Sequence, residues 1–383
     1  MMRRKQIQIG LVTLAIFVLL ACDENPTAPQ SIEVVPTPGL VGFPAKLDAL
    51  RVQLKIPGMS AAIVEDGQIV WARGFGEATV ETANPATSAT PFHLASLTKP
   101  FAATIIMQLV EEGLVDLDDA ASDYGVTLSA SGVIRVRHLL THTSEGVPGS
   151  SYRYSGNRFG YLDQVIQSAS GQSFGELLVE RILQPLRFQN TAPNPKNSSA
   201  FALTGLNRSQ FLERMAAGYE VKGSQVHPKE HPSHFGTAAG LVASAEDMAV
   251  FSIAIDQGRF LSSETWQEVF TPARSNSGAD LPYGLGWFIQ EYQGARLQWH
   301  YGYWTTNSSL IVRAPDKNLT FVVLANTQTL SSPYGLGADN NVMRSDVARI
   351  FVGEDFVLGD EPLPQGVTSH THGPGERVRF RGT

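Results

Sequence analysis

The sequence lacks several features that would point to common classes of protein. Its 383 residues contain one cysteine, Cys22, so no intrachain disulfide can form. It also has no excess of positive charge, because 29 basic residues are outnumbered by 36 acidic ones and the formal net charge is −7. This balance argues against a phosphate-backbone partner, so we expect no nucleic acid. No glycine-rich phosphate loop stands beside a suitable strand and helix, so we also expect no nucleotide.

The N-terminus has the composition of an export signal. A basic start at residues 3–5 precedes an apolar run at 7–21, which is too short for a comfortable membrane span of roughly 20 residues. The run ends in Leu-Leu-Ala-Cys, which resembles the bacterial lipobox. That resemblance implies lipidation of Cys22 and an exported, membrane-anchored lipoprotein of the bacterial cell envelope, periplasmic or on the outer surface. An ordinary signal peptide with an incidental cysteine is the alternative, because Leu20 is not the commonest residue at its place.

Composition divides the remaining chain into three parts. Residues 22–40 are rich in proline and poor in large apolar side chains, which is typical of a linker. With 43% hydrophobic and 17% charged residues, the chain can bury a large core, and we place one body with two subdomains at 41–353. Residues 354–383 are rich in Gly, Pro and His and predict a flexible tail. Removal of residues 1–21 deletes three cations and no acid, giving −7 − 3 = −10.

Strand patterns occur at both ends of this body and helix patterns between them. Two β-prone runs at 59–79 flank Asp66-Gly67, a pair suited to a tight hairpin, and residues 308–327 repeat the arrangement around a Pro-Asp-Lys-Asn turn. Two apolar helical faces lie in the middle, comprising Phe159, Leu162, Val165 and Ile166, and then Phe174, Leu177, Leu178 and Ile182. We therefore predict an α/β (α+β) fold in which a mixed sheet from both ends receives a helical insertion. A last helix is predicted at 342–351.

Ser96 and Lys99 stand three residues apart at the start of an apolar helical pattern. Pro100 fits such a helix only in its first turn, which places Ser96 at the N-terminus. There the free N–H groups and the helix dipole favour developing negative charge on the hydroxyl. Spacing of i, i+3 puts the Lys99 amine beside Ser96, and a partly desolvated lysine can accept the serine proton. Taken alone, the pair is better explained as a capping serine with a solvated lysine, because the pattern is short and both residues are common.

Further motifs appear downstream in a familiar order. They are Tyr154 in "YRYSGNRFGYL" and His300 and Gly302 in "LQWHYGYW", with supporting stretches at 134–146, 236–251 and 283–287. Together with S-x-x-K, the chain over roughly residues 45–330 resembles the serine β-lactamase and penicillin-binding-protein superfamily. The branch is the class C-like one, with class C β-lactamases, D-Ala-D-Ala carboxypeptidases, D-aminopeptidases and related esterases. The resemblance implies a β-lactamase-like, mainly antiparallel sheet flanked by helices.

The resemblance also implies roles for individual residues. Ser96 would be the acylated nucleophile, with Lys99 and Tyr154 sharing the proton transfers. His300 would stand where most relatives have a strand lysine, and Gly302 would let the substrate lie close to the strand. The backbone N–H groups of Ser96 and Tyr303 would form the oxyanion hole.

One position departs from the family pattern. Many relatives read Tyr-x-Asn, whose asparagine contacts the acylamino group of the substrate, whereas here the third residue is Gly156 and Asn157 follows it. Either Asn157 replaces that contact or the substrate lacks the amide. We therefore expect a serine hydrolase that forms an acyl-enzyme on an ester or amide, of the esterase or D-amino-acid peptidase type. A β-lactamase or D-Ala-D-Ala carboxypeptidase is the alternative, and a non-catalytic member that binds a cell-wall peptide or a partner protein is another.

Two rival motifs point elsewhere. "GQSFG" at 171–175 matches the nucleophile elbow of α/β-hydrolases around Ser173, but the preceding segment has helical rather than strand periodicity. We predict instead that Gly171 ends one helix and that Ser173 and Glu176 form a capping box. "HPKEHPSH" at 227–234 groups three histidines in a proline-containing loop, which we interpret as solvated or hydrogen-bonded side chains. We interpret His370 and His372 in the same way, as side chains that do not bind a metal. We expect no metal and no organic cofactor.

Overall fold

A computed structural model of the protein describes residues 40–196, 199–353 and 357. The predicted signal peptide, Cys22, nearly all of the linker and the tail with His370 and His372 lie outside the described residues. Within them, no helix combines the length and apolar character needed to cross a membrane.

The described strands and helices follow one another along the chain. The strands are β1 Gly58–Glu65, β2 Gln68–Thr79, β3 Asn84–Pro85, β4 Phe92–His93, β5 Ala192–Pro193, β6 Tyr219–Lys222, β7 Gln225–Pro228, β8 Leu241–Ala243, β9 Phe288–Tyr292, β10 Ala295–Trp304, β11 Asn307–Ala314 and β12 Leu319–Ala325. The α-helices are α1 Phe43–Gln53, α2 Lys99–Glu111, α3 Val136–Leu140, α4 Gly156–Phe159, α5 Leu162–Ser170, α6 Phe174–Leu178, α7 Arg208–Arg214, α8 Ala245–Asp256, α9 Ser263–Val269, α10 Leu336–Asp339 and α11 Asp346–Gly353.

Strands from the two ends of the chain form one sheet. Its order is β3-β2-β1-β12-β11-β10-β9, and all six strand pairings are antiparallel. The ends meet where β1 pairs with β12, with Met59 opposite Ala325. Asp66 and Gly67 have φ values of 49° and 73° in the first hairpin turn, and Asn318 has 54° in the last. The predicted hairpins and the sheet built from both ends are confirmed.

Two hydrophobic cores bury the two faces of the sheet. Successive residues of β1 point to opposite faces of the sheet and so belong to different cores. Ala62 and Val64 pack with the helices inserted between β2 and β9, while Ala61 and Ile63 pack with α1 and α11. Burial on both faces explains why the central strands read as continuous apolar runs rather than as alternating ones. The predicted apolar helical faces from Phe159 to Ile182 are buried in the first core. The predicted last helix is a 3₁₀ turn at Val342–Arg344 followed by α11.

The "GQSFG" segment is a helix junction. Gly171 ends α5 with a φ of 75°, and Ser173 caps α6. The Ser173 hydroxyl accepts from the Glu176 N–H at 3.3 Å, while the Glu176 carboxylate accepts from the Ser173 N–H at 2.7 Å. This capping box is the predicted one, and no strand leads into Ser173.

Candidate active site

Ser96 lies in a 3₁₀ turn rather than in the α-helix itself. The turn spans Ala95–Thr98, and α2 begins at Lys99, three residues later than the predicted start. The Leu97 N–H bonds back only three residues to Leu94 O, at 3.2 Å, which is the hydrogen-bond spacing of a 3₁₀ turn. Pro100 lies in the first turn of α2, as expected. Ala95 has a φ of 49°, an uncommon value for a residue with a side chain.

Neighbouring strands hold this turn in place. The Ser309 hydroxyl donates to Leu94 O at 2.8 Å, and the Thr98 hydroxyl donates to Ala95 O at 2.7 Å. At Gly302, a Cβ would lie 2.0 Å from Leu94 O and 2.3 Å from the Ser309 hydroxyl. Only glycine therefore lets β10 approach the nucleophile turn so closely. This packing explains why residue 302 is a glycine. The predicted contact of Gly302 with the substrate stays a prediction.

Lys99 is fully buried beside a partly exposed Ser96. Its Nζ donates to Ser96 Oγ at 3.1 Å and to Ala238 O at 2.8 Å. Burial lowers the pKa of Lys99 to about 7, because no water solvates the ammonium and no carboxylate is among the causes of the shift. A large fraction of Lys99 is thus neutral at neutral pH, and a neutral amine at hydrogen-bond distance can accept the Ser96 proton.

Tyr154 packs over the Lys99 amine. Nζ lies 5.2 Å from the Tyr154 ring centroid and 5.2 Å from that of Phe159. The Tyr154 hydroxyl is buried without a hydrogen-bond partner among the described residues. Burial raises the pKa of the phenol well above 10, Tyr301 adds to that rise, and the nearby Ser96 hydroxyl opposes it. Tyr154 is therefore protonated at neutral pH, with an O–H that is not committed to another group.

His300 lies at the same site but is fully hydrogen-bonded. Its Nδ1 donates to Tyr301 O at 2.7 Å, since a carbonyl only accepts, and its Nε2 lies 2.9 Å from the Tyr283 hydroxyl. Burial, aided by the charge of Lys99, lowers its pKa well below 6.5, so the ring is neutral. The ring centroids of His300 and Tyr154 are 6.4 Å apart. His300 is thus placed beside Tyr154, but both of its nitrogens have partners within the protein.

The register of β10 leaves the Tyr303 N–H free of β11. Gln293 and Gly294 form the β9–β10 turn with φ values of 49° and 79°, so Tyr292 and Ala295 exchange hydrogen bonds. Odd-numbered β10 residues therefore point their N–H groups towards β9, which ends opposite Trp299. Tyr303 lies beyond that end, and its side chain is 46% exposed. An N–H at this open edge is available to a ligand.

Of the two residues after Ser155, Gly156 lies near the Lys99 amine and Asn157 is exposed to solvent. A Cβ on Gly156 would lie 4.0 Å from Lys99 Nζ, so Gly156 borders the site. Asn157 is exposed on the short helix α4, which is capped by the Ser155 hydroxyl. Its predicted replacement of the family asparagine stays a prediction.

His142 belongs to the site and was not predicted from the sequence. Its ring centroid is 4.3 Å from that of Tyr154, and its Nδ1 accepts from the Ser155 N–H at 3.2 Å. Burial, with the charge of Lys99, lowers its pKa well below 6.5, and its Nε2 is buried without a partner among the described residues. Its φ is 56°. The stretch around it was noted for its resemblance to the family, but nothing in the sequence distinguished this residue.

One of the three histidines at 227–234, His231, is hydrogen-bonded within the protein and packs near the turn that contains Ser96. The His231 ring is bonded to the Thr306 hydroxyl at 3.0 Å and to Ala216 O at 2.9 Å. It stacks on His93, whose Nδ1 accepts from the Ala95 N–H at 3.1 Å just before the nucleophile. Across the described ranges, no three His, Cys, Asp or Glu side chains are grouped as metal ligands.

Ser96 thus has a hydrogen-bonded lysine that can be neutral at neutral pH, which is how a serine hydrolase of the β-lactamase-related type activates its nucleophile. The family model described as Beta-lactamase matches residues 43–341. The chain therefore belongs to the beta-lactamase family, which confirms the resemblance, the fold and the enzyme class predicted from the motifs.

Curated relatives of the chain have several activities. Penicillin-binding protein 4* of Bacillus subtilis (strain 168) is 24% identical over 303 residues, which are 69% of this chain and 67% of that protein. A D-aminopeptidase of Brucella anthropi is 27% identical over 292 residues, 65% of this chain and 52% of that protein. The chain thus spans about half to two thirds of the length of these relatives.

Solved structures share the fold. The octameric penicillin-binding protein homologue from Pyrococcus abyssi superposes with a TM-score of 0.69 at 23% identity, covering 83% of this chain and 80% of that one. EstCE1, a hydrolase with promiscuous acyltransferase activity, gives a TM-score of 0.63 at 18% identity, covering 78% and 97%. At these identities the likeness concerns architecture alone.

Proposed function

We propose that the protein hydrolyses an ester or amide through an acyl-enzyme at Ser96. The observation that carries the proposal is the 3.1 Å hydrogen bond between Lys99 Nζ and Ser96 Oγ, with the pKa of Lys99 lowered to about 7. Lys99 then serves as the base that accepts the serine proton as Oγ attacks the carbonyl carbon.

The surrounding groups supply the rest of the reaction. The N–H groups of Ser96 and Tyr303 receive the negative charge of the tetrahedral intermediate. The Tyr154 hydroxyl, protonated and without a partner among the described residues, passes a proton to the leaving group and is restored by Lys99. Water then attacks the acyl-enzyme with the same groups acting in reverse. His300 keeps Tyr283 and the strand beside Tyr154 in place and carries no charge.

Gly156 favours an ester or a D-amino-acid amide over a β-lactam. The residue offers no side-chain amide to a substrate acylamino group, although its Cα faces the Lys99 amine. Relatives include D-aminopeptidases, which supports this substrate range. A β-lactamase or D-Ala-D-Ala carboxypeptidase is the second candidate, supported by the similarity to a penicillin-binding protein.

The test is hydrolysis of p-nitrophenyl esters, D-alanyl-p-nitroanilide and nitrocefin by the wild type, by Ser96→Ala and by Ser173→Ala. We expect turnover of at least one substrate, its loss in Ser96→Ala, and its retention in Ser173→Ala, because Ser173 only caps α6. A folded wild type that turns over none of them supports the non-catalytic, ligand-binding alternative. Loss of activity in Ser173→Ala but not in Ser96→Ala contradicts the assignment of the nucleophile.

We further propose that the enzyme is exported and anchored to the cell envelope through a lipid on Cys22, with no cofactor. The basic start, the apolar run and Leu-Leu-Ala-Cys support this proposal. Metabolic labelling with a palmitate analogue should mark the wild type and leave Cys22→Ser unlabelled. Equal labelling of both, or of neither, contradicts the anchor.

A further inference from the structure

Asp163 is a largely buried carboxyl on α5 to which the proposed chemistry gives no role. Its Oδ1 accepts from the Thr237 N–H at 3.0 Å, and a Cβ on Gly236 would lie 2.6 Å from its Oδ2. Residues 236–239 form a tight turn, closed by hydrogen bonds of 2.9 and 3.2 Å between Gly236 and Ala239. The carboxyl therefore rests directly on this turn, and only glycine leaves room for it.

The same turn holds the candidate base. Ala238 O accepts from Lys99 Nζ at 2.8 Å, which fixes one of the two hydrogen bonds that orient the amine towards Ser96. Ala238 directly follows Thr237, whose N–H is bound by Asp163. A shift of the turn would therefore move the carbonyl that aims Lys99.

We propose that Asp163 is a positioning residue, which fixes the turn at 236–239 so that the Ala238 carbonyl keeps the Lys99 amine aimed at Ser96. The inference rests on the proposed function, because the aim of the amine matters only if Lys99 is the base. Asp163 contacts none of the reacting atoms and acts through the turn alone.

The ionisation of Asp163 makes this role measurable. Burial raises its pKa to about 6, against the effect of the two Thr237 donors. Protonation weakens a carboxylate as an acceptor for an N–H, so the turn loosens as the pH falls through about 6. Helices α2, α3 and α6 and the 3₁₀ turn at Ala121–Tyr124 pack against α5, and α4 precedes it. Their titratable side chains do not account for the raised pKa of Asp163; these are Lys99, Glu111, Asp123, Tyr124, Arg137, His138, Arg158 and Glu176.

Two ionisations then control the rate on the acid side. Loss of the neutral form of Lys99 below about pH 7 lowers kcat/KM ten-fold per pH unit. Below about pH 6, protonation of Asp163 adds a second factor, and the slope of log kcat/KM against pH rises from one towards two. Asp163→Asn keeps an oxygen acceptor for Thr237 but, like protonated Asp163, carries no negative charge and does not titrate. Its slope should therefore stay at one, and its kcat/KM at pH 8 should fall several-fold below that of the wild type.

The experiment compares the pH profiles of kcat/KM for the wild type, Asp163→Asn, Asp163→Leu and a control, Asp247→Asn, on whichever of the three substrates above the wild type hydrolyses fastest. Asp247 is a matched carboxyl, because burial raises its pKa to about 6 and it accepts from the Asn190 N–H at 3.0 Å and the Thr191 hydroxyl at 2.8 Å, away from Lys99. Its variant should keep the steep acid slope of the wild type. Asp163→Leu should lose at least about ten-fold in kcat at pH 8, since the turn loses its acceptor.

A second acid slope that persists in Asp163→Asn, or that is absent from the wild type, overturns the inference while the hydrolase stands. So does full activity of Asp163→Leu at pH 8. A wild type without any hydrolysis overturns the proposed function itself. If the leucine variant does not fold, the asparagine profile still decides, with folding checked by circular dichroism at each pH.

Discussion

Among the residues that the structure describes, one lysine and one arginine are buried, and their surroundings differ in one respect. Lys99 is 0% exposed and bonds a hydroxyl and a carbonyl, whereas Arg313 is 2% exposed and forms an ion pair with Asp256. Both lie over aromatic rings, Lys99 over Tyr154 and Phe159, and Arg313 over Phe270 and Trp287. Burial and ring contacts are therefore shared, and the carboxylate is not.

The carboxylate decides what each cation can do. Burial lowers the pKa of both, but Asp256 opposes that effect at Arg313, which stays charged and also bonds Gln298 at 2.7 Å. With nothing to oppose burial, the pKa of Lys99 falls to about 7. Arg313 therefore supports the fold, while Lys99 is held in a state that costs stability and provides a base.

The largest expected effect is the loss of hydrolysis on Lys99→Met. The variant keeps an unbranched side chain of similar length but has no base, so kcat/KM should fall roughly 1,000-fold or more, close to the level of Ser96→Ala. Steady-state kinetics at pH 8 measure this, with Arg313→Met as the matched control. A loss below ten-fold in Lys99→Met would show that another group takes the serine proton.

Arg313→Met should instead reduce stability. It leaves the Gln298 carbonyl oxygen and the Asp256 carboxylate without their partner, and we expect a loss of about 3 kcal/mol in the free energy of unfolding. Urea denaturation at pH 8 measures the loss, and the ester hydrolysis rate of the folded variant should be unchanged. Unaltered stability would mean that this ion pair does not differ from the surroundings of Lys99 as argued.

Substitution of the other buried cation, Lys99, should raise the free energy of unfolding rather than lower it. Because the folded pKa of Lys99 lies below 10.5, the unfolded chain binds more protons between about pH 7 and 10.5, and stability rises with pH in that window. The pKa shift alone corresponds to about 5 kcal/mol below pH 7, and loss of the two hydrogen bonds of Lys99 offsets roughly 3 kcal/mol of it. Lys99→Met should therefore be more stable than the wild type by up to about 2 kcal/mol below pH 7, and the gain should vanish towards pH 10.5. A Lys99→Met variant that is less stable at every pH would contradict the lowered pKa.

The smallest effect is expected for Asp256→Asn. The Asp256 side chain is 45% exposed, so water already screens part of its attraction to Arg313. We expect a loss of about 1 kcal/mol in urea denaturation, well below that of Arg313→Met. A loss equal to that of Arg313→Met would assign the whole effect to the ion pair rather than to the arginine's several contacts.

Structural features that depend on residues close together in the chain could be predicted from the sequence. Asp66-Gly67 specifies its hairpin, Ser173 and Glu176 specify their capping box, and S-x-x-K specifies a serine beside a lysine. In each case the interacting groups lie within a few positions of each other, so their spacing in the sequence determines their relative positions in the structure.

Long-range contacts could not be predicted in this way. The acceptor of the Lys99 amine is Ala238, 139 residues away, and the partner of Asp163 is Thr237, 74 residues away. The φ of Ala95 and the neutral state of His300 also depend on tertiary packing, the second through burial of the ring near Lys99. Even the start of α2 was misplaced by three residues, because the preceding 3₁₀ turn is held by strands from elsewhere in the chain.

The central claim is that Lys99, whose lowered pKa of about 7 leaves much of it uncharged at neutral pH, makes Ser96 a nucleophile. Intact-protein mass spectrometry of labelling by a fluorophosphonate, from pH 5.5 to 9, tests it most directly. We predict a single adduct on Ser96, formed at a rate that rises with pH and levels off above about 7, and none in Lys99→Met over the same time. No adduct on Ser96 of the folded wild type, or an equal rate in Lys99→Met, would contradict it.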